Sequence, residues 1–411
     1  MTKFFDKHYF LFFFKRIISM KVETILLKSI YKITTFLISL ILIPFSIFFH
    51  ILGVRHFKVF YERIGHFAVE PDCLIKEIKL CKTKHKHIMV LDKNFISNYH
   101  LLKYWKKHFY VYESKIMFFI VNCLSNFGIM SFDGKKYLRN KQQFQEAYYI
   151  YNKWGKRNVV LELNKKDIQW ANEMLSKLGL PKNSWYVVVH ARTEGFSRVD
   201  DHIQNYRNSN INNMLLAVKR ITDLGGWVVR IGDKNMPKLK KMKNVIDYAW
   251  SNLKSDRLDF CVIGKASFMI GNTSGITCLA SVMGIPCAVT NVVPISVGWL
   301  TEKDIFIPKL LWSDKLKRNL TYKEILESEI SNYNYSNQYK NARINVLENS
   351  ETDILNLTNE MLSKINENFT DHFSCPFQEE FKHLLTKSHY GYFSKSRISR
   401  SFMKKYKELF L

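Results

Sequence analysis

The sequence predicts an α/β protein built on doubly wound parallel sheets, and three observations carry that expectation. The run WYVVVHAR reads as a buried strand that ends abruptly in a polar, cationic turn at His190 and Arg192. Further along, FMIGNTSGITCLASVMGIP (Phe268 to Pro286) reads as a strand, a glycine-flanked turn of small hydroxyl residues, and a helix. Around these two pieces, short apolar runs alternate with amphipathic stretches. That alternation is the rhythm of βαβ units, whose ligands bind beyond the carboxyl ends of the strands.

A chain of 411 residues exceeds one ordinary core, so two α/β domains with extensions are expected. Its formal charge of +26 points to an anionic partner or surface, although a composition rich in Lys, Asn and Ile accounts for part of it. The seven cysteines are scattered and never spaced as C-x-x-C, which argues against a disulfide framework or a zinc knuckle and for a reducing compartment.

Residues 1–56 are expected to form a membrane-associating segment. Ile33 to Val54 carries no formally charged residue, and a bilayer span needs roughly 20 apolar residues. Lys15, Arg16, Lys21, Lys28 and Lys32 precede it and Arg55, Lys58 and Arg63 follow, so a single span would leave one basic flank on the wrong side. Pro44 interrupts the middle. A helical hairpin or interfacial segment is therefore preferred to a true span, which makes the protein peripheral or monotopic on the cytoplasmic face of the cell's inner membrane. No A-x-A-like cleavage site follows, so no removed signal peptide is expected.

The remaining elements are expected in this order. An N-terminal domain spans 57–180. In it FKVFYERIGHFAVEP (Phe57 to Pro71) reads as a short strand breaking at Gly65, HIMVLD as a strand, NYHLLKYWKKH as a helix and FYVYES as a strand. Asp133 to Trp154 reads as loop plus helix, and Asn164 to Leu178 as a helix capped by Asn164 and stopped by Gly179 and Pro181. A C-terminal domain spans 181–320. After WYVVVH come the helix NINNMLLAVKRITDL, the strand WVVRIGD, NVIDYA, the helix DRLDFCVIGKA, the strand–turn–helix at Phe268, the strand CAVTN and the short run DIFIP. Residues 321–411 read as helices followed by a basic tail.

The motifs follow the strand ends. Arg192 stands where its planar, permanently charged head can fork onto a diphosphate, and His190 can bond the same group or a nearby carbonyl. In GNTSG, Asn272, Thr273 and Ser274 can cap the helix that starts near Gly275 while leaving N–H groups for an anion. Arg230, Gly232 and Asp233 close another strand, where a base or ribose can approach; a plain turn explains them equally well. Ser255 reads as a helix cap, with Asp256 as an alternative nucleotide contact. Candidate general bases are Glu194, Asp200 and Asp201 in the loop after His190, and His66 in the other domain. No D-x-D, G-x-x-x-x-G-K-[ST], G-x-G-x-x-G or H-E-x-x-H motif is present, so no metal and no cofactor is called for.

With these residues in view, the chain resembles bacterial glycosyltransferases found with surface-polysaccharide genes. The matching pieces are RIGH (Arg63 to His66), VVVHAR, QNYRNSNI (Gln204 to Ile211), WVVRIGD, VIDYA, SDRLD, FMIGNTSG, GIPCAVTN and DIFIPKLLW (Asp304 to Trp312). The resemblance covers roughly Phe57 to Leu326. More distantly, H-x-R at a strand end resembles the donor motif of fucosyltransferases, and GNTSGITCLASVMGIP is similar to a helix of heptosyltransferases. Thr193 stands where fucosyltransferases carry a second basic residue, which weakens a GDP-fucose assignment.

This resemblance implies a GT-B architecture, in which two Rossmann-like domains face a cleft and no metal is bound. It implies that Arg192, His190, Arg207, Asn208 and the GNTSG turn hold the donor, and that Arg63, Gly65 and His66 lie on the acceptor side. The implied activity is metal-independent transfer of a sugar from a nucleoside-diphosphate donor to a lipid-linked or polysaccharide acceptor at a membrane surface. Two alternatives remain. One is a nucleotide-sugar epimerase or hydrolase on the same scaffold. The other is a basic nucleic-acid or membrane-surface binding protein, for which the sequence offers charge but no recognition motif, so no nucleic-acid partner is expected.

Overall fold

Two parallel sheets grow out of the alternating pattern. The structure, a computed structural model, describes residues 22–138, 141–194, 203–366 and 376–410. Strands β1 (Val54–Lys58), β2 (Lys86–Val90), β3 (Tyr110–Tyr112) and β4 (Ser131–Asp133) form one sheet in the order β3-β2-β1-β4, every pair parallel. This sheet belongs to a first unit made of residues 22–58, 84–94 and 109–133; the other described residues form a second unit, so the two interleave along the chain.

In the first unit, Val90, Val121, Leu124 and Met130 make a small core against which Leu42, Phe49, Val54 and Met117 pack. The apolar N-terminal stretch forms the helices Val22–Ile41 and Ile43–Ile51. Pro44 lies in the first turn of the second, where its missing N–H costs nothing. No single described helix is long and apolar enough to cross a membrane, but Leu26–Ile41 and Ile43–Ile51, bent by 60°, pass that test jointly by length and composition.

The second unit contains β5 (Tyr186–Val189), β6 (Trp227–Arg230), β7 (Val245–Asp247), β8 (Phe268–Gly271), β9 (Cys287–Val292), β10 (Ile305–Pro308), β11 (Leu310–Ser313), β12 (Arg318–Asn319), β13 (Ile344–Leu347) and β14 (Arg397–Ile398). Seven of these run parallel in the order β14-β10-β9-β8-β5-β6-β7. Counting from β5, the order 3-2-1-4-5-6 is that of a dinucleotide-type doubly wound sheet, with its switch point between β5 and β8. The central strands are buried along their whole length, as sheets covered on both faces require.

Three features depart from the sequence reading. Strands β13 and β14 come from the region 321–411 that was expected to be helical, and β13 pairs with β11 and β12, from the end of the 181–320 stretch, in an antiparallel sheet β12-β11-β13. The basic tail is folded in rather than free: Arg397 pairs with Glu360, Lys405 pairs with Asp353 at 2.7 Å, and Phe402, Met403 and Phe410 are buried.

Finally, Phe57 to Pro71 is not a strand broken at Gly65. The strand ends at Lys58 and a helix runs from Ile64 to Cys81 straight through Pro71. Proline lacks the N–H that would bond the carbonyl four residues back, at Phe67. The Trp105 indole N–H donates to that carbonyl instead, at 2.8 Å. The orphaned acceptor is satisfied and the helix continues.

Candidate functional site

The two strands flanking the switch point deliver the cationic turn and the small-residue turn to the same place. Asn272, fully buried after β8, accepts the Arg192 N–H on Oδ1 at 3.0 Å and donates from Nδ2 to the Arg207 carbonyl at 2.9 Å. One side-chain amide thus ties three segments together. Arg207 donates to the Gln204 side-chain oxygen and to the Thr273 carbonyl, each at 2.7 Å. Arg192 donates to the Gln204 carbonyl at 3.1 Å and to Asn208 Oδ1. Asn208 in turn accepts the Lys309 ammonium on its carbonyl at 2.7 Å.

Arg192 and Lys309 therefore flank the short Gln204–Asn208 segment, which itself carries Arg207. Arg207 and Lys309 spend their bonds on neutral oxygens, and neither forms an ion pair among the described residues. Burial pushes the Lys309 ammonium down to about 8, which marks how little solvent it sees. Arg207 Nε, Thr273 Oγ1 and Ser209 Oγ are buried without a hydrogen-bond partner among the described residues. Buried polar atoms usually find partners, so orphans gathered at one turn suit a ligand rich in oxygens. Ser274 caps the helix Gly275–Val282 by accepting the Thr277 N–H, and the positive end of that helix adds to the field.

The remaining expected site residues are placed by their own bonds. His190 is buried and donates from Nδ1 to the Ile231 carbonyl at 3.2 Å. Burial pushes its imidazole down to about 4, with Arg230 and Arg192 adding to the effect, so the ring is neutral at pH 7 and offers an acceptor nitrogen rather than a charge. Arg230 does not present its head to the strand ends; it is buried, pairs with Asp247 at 2.9 Å and donates to the Pro237 carbonyl. It braces β6 against β7. Gly232 packs where a Cβ would meet the Met236 sulfur, and Asp233 accepts the Asn235 N–H in a local turn.

Ser255 is a helix cap, accepting the Leu258 N–H. Asp256 accepts the Tyr99 N–H at 2.6 Å and so fastens the neighbouring helix instead of facing the turn. Glu194 is exposed, its carbonyl accepting the Thr193 hydroxyl. Asp200 and Asp201 lie outside the described residues.

The helix Ile64–Cys81 brings the Arg63–His66 motif to the helix Gly275–Val282 within the second unit. A Cβ built on Gly65 would lie 2.7 Å from the Gly275 Cα, and one built on Gly275 would lie 2.8 Å from the Gly65 nitrogen. Only two glycines allow this crossing. Gly275→Ala is therefore expected to cost about 1–3 kcal/mol by overpacking against backbone, seen as a lower midpoint in urea unfolding.

One residue beyond Gly65, His66 donates from Nδ1 to Glu70 Oε1 at 2.7 Å. Glu70 is fully buried, and its other oxygen accepts the Phe60 N–H at 2.9 Å. A carboxylate fixed at both oxygens holds the imidazole in one tautomer, with a basic nitrogen on the far side, the arrangement of an oriented general base. The Arg63 guanidinium lies over the Phe60 ring, 5.6 Å from its centroid.

Glu70, Gln204 and Lys309 were missed from the sequence. Glu70 becomes visible only once Ile64–Cys81 is read as a helix, which sets His66 and Glu70 one turn apart.

A separate buried group, His100, Asp167 and Cys261, has ligand atoms within 4.8 Å of one another. Asp167 is already engaged by His100, Tyr104 and Asn164 on one oxygen and by Arg257 on the other. A guanidinium at 2.8 Å supplies the positive charge a metal would bring, so this is a structural junction.

Fold and site together define a doubly wound α/β protein with a cationic switch point. No known protein-family profile and no curated protein matches the chain. Among solved structures it is similar to a glycosyl transferase family 9 protein from Veillonella parvula DSM 2008, with TM-score 0.42 and 10% identity over 76% of this chain and 97% of that one. It is also similar to the iron-containing dodecameric heptosyltransferase TibC in complex with ADP-D-beta-D-heptose, with TM-score 0.41 and 13% identity over 77% of this chain and 76% of that one. A second structure of TibC, from enterotoxigenic E. coli H10407, gives TM-score 0.39 at 13% identity, covering 77% of each chain. Likenesses this distant do not decide an activity, which has to come from the residues.

Proposed function

We propose that the chain is a glycosyltransferase that moves a sugar from a nucleoside-diphosphate donor to a lipid-linked or polysaccharide acceptor in bacterial surface glycan synthesis. The observation that carries this reading is the meeting of Arg192, Arg207 and Lys309 at the switch point, with an oriented His66–Glu70 pair on the helix that crosses there.

In the reaction, the acceptor hydroxyl oxygen bonds to the anomeric carbon as the bond between that carbon and the diphosphate oxygen breaks, and negative charge grows on the leaving diphosphate. Preorganised guanidinium groups, an ammonium and a helix N-terminus take up that charge. The unprotonated His66 nitrogen accepts the proton of the acceptor hydroxyl, and Glu70 stabilises the imidazolium that forms. Neutral His190 accepts a hydrogen bond from a donor hydroxyl. In this scheme the cationic side chains do the work that magnesium does in metal-dependent transferases. A nucleotide-sugar hydrolase would share the donor half but has no use for a base set beside it for a second substrate.

The test is thermal unfolding with a panel of nucleotide sugars in the presence of a chelator, followed by transfer assays with the donor that stabilises. A donor at about 100 times its Kd is expected to add about 2.7 kcal/mol of stability, and Arg192→Ala to lose that increment. A protein that no nucleotide sugar stabilises, with or without divalent ions, is not a transferase of this kind.

A further inference from the structure

Independently of the sugar-transfer reading, we infer that the bent helix pair Val22–Ile41 and Ile43–Ile51, together with the helix Lys115–Leu124, forms a surface that inserts into one leaflet of an anionic bilayer without crossing it.

The pair has two different flanks. Ser39 and Ser46 are buried, and Ser46 Oγ donates to the Leu124 carbonyl at 2.7 Å. Asn126 donates to Ser39 Oγ at 3.2 Å, and Leu42 and Phe49 pack against the small core of the first unit. Tyr31 meets Phe119 and Phe36 meets Phe127 edge-on, at 6.0 and 5.8 Å. This flank is fastened to the folded unit by buried hydrogen bonds as well as apolar contacts. Releasing the pair to stand across a membrane would strip those groups of their partners.

The other flank carries large apolar side chains in the open, with Leu27 67% exposed, Ile41 73% and Ile51 76%. The third helix continues the same character, with Ile116 72% exposed and Ile120 also open. A contiguous exposed apolar surface marks an interaction site.

Length and charge select the partner. The apolar part of the first helix, Leu26–Ile41, reaches about 24 Å at 1.5 Å per residue, short of the roughly 30 Å hydrocarbon core. The second helix then turns away by 60°. Lys28 and Lys32 are exposed near the start of the first helix and Lys115 at the start of the third, and no acidic residue occurs between Lys28 and Tyr61. Apolar side chains rimmed by cations match an anionic headgroup layer over acyl chains.

The experiment is vesicle flotation of the full chain, comparing phosphatidylglycerol-containing vesicles with pure phosphatidylcholine. Binding is expected to the anionic vesicles, weakened by salt. The double variant Ile116→Asp and Ile120→Asp, which lies outside the N-terminal helices, is expected to lower partitioning by at least about tenfold while leaving the melting temperature unchanged. Full binding by that variant would remove the third helix from the surface. No binding to any vesicle, together with concentration-dependent dimerisation, would assign the surface to a second copy of the chain and overturn the proposal. Cysteines placed at Lys28 and at Leu52, labelled with an impermeant maleimide and mapped by mass spectrometry, are expected to react equally from outside the vesicles. Labelling of one alone would mean a span.

Discussion

Replacing His66 by alanine is expected to lower kcat by about 10²–10⁴-fold, the usual contribution of a positioned general base, with donor affinity left nearly intact. The reason is geometric: His66 Nδ1 is committed to Glu70 at 2.7 Å, and Glu70 is locked by the Phe60 N–H, so one ring nitrogen is held ready. Glu70→Gln preserves the shape but removes the charge that stabilises the imidazolium, and should fall between wild type and His66→Ala. The readout that separates catalysis from folding is donor-dependent thermal stabilisation, which should persist in His66→Ala while kcat falls. A kcat within threefold of wild type would remove His66 from the chemistry.

Asp167→Ala is expected to destabilise the protein by about 3–5 kcal/mol, the cost of stranding a partially buried cation and several donors. Asp167 joins three helices: His100 and Tyr104 come from one, Asn164 caps its own, and Arg257 comes from a third. Burial pushes the Asp167 carboxyl up, yet the hydrogen bonds from Tyr104, His100 and Arg257 outweigh it and hold the group at about 2, below its usual 3.8. The stabilisation is therefore complete above that usual value and is lost as the pH falls toward 2. Urea unfolding at neutral pH and again near pH 3 measures both effects, and the difference between variant and wild type should shrink in acid. Arg257→Leu in the Asp167→Leu background should restore part of the loss, because the stranded charge goes with it.

The second-unit sheet was legible because its strands are short, wholly apolar runs punctuated by Gly and polar turns, as at Tyr186–Val189 and Phe268–Gly271. The placement of His190, Arg192 and the Asn272–Ser274 turn just beyond β5 and β8 was legible for the same reason, since a strand end fixes where its next residues go. Arg230 was misjudged by that logic: Asp247 lies on the adjacent strand, and nothing local in RIGD reveals a cross-strand ion pair. Lys309 was hidden because the run before it looks like an ordinary edge, whereas the chain folds β10 inside the sheet with β14 beyond it. The helix at Ile64 was hidden by Pro71, and a distant Trp105 makes that proline tolerable. Strands β12 and β14 are two residues long, and β11 and β13 mix polar with apolar residues in too few positions to stand out from their surroundings.

The claim on which the functional reading depends is that the cations at the switch point grip a diphosphate without a divalent ion. Calorimetric titration of nucleoside diphosphates into the full chain in excess chelator tests it most directly, with the Arg192→Ala and Arg207→Ala double variant alongside. The expected result is saturable one-to-one binding of at least one nucleoside diphosphate, weakened by at least about tenfold in the double variant. Binding that appears only when magnesium is restored, or that is equally tight in the double variant, would contradict it.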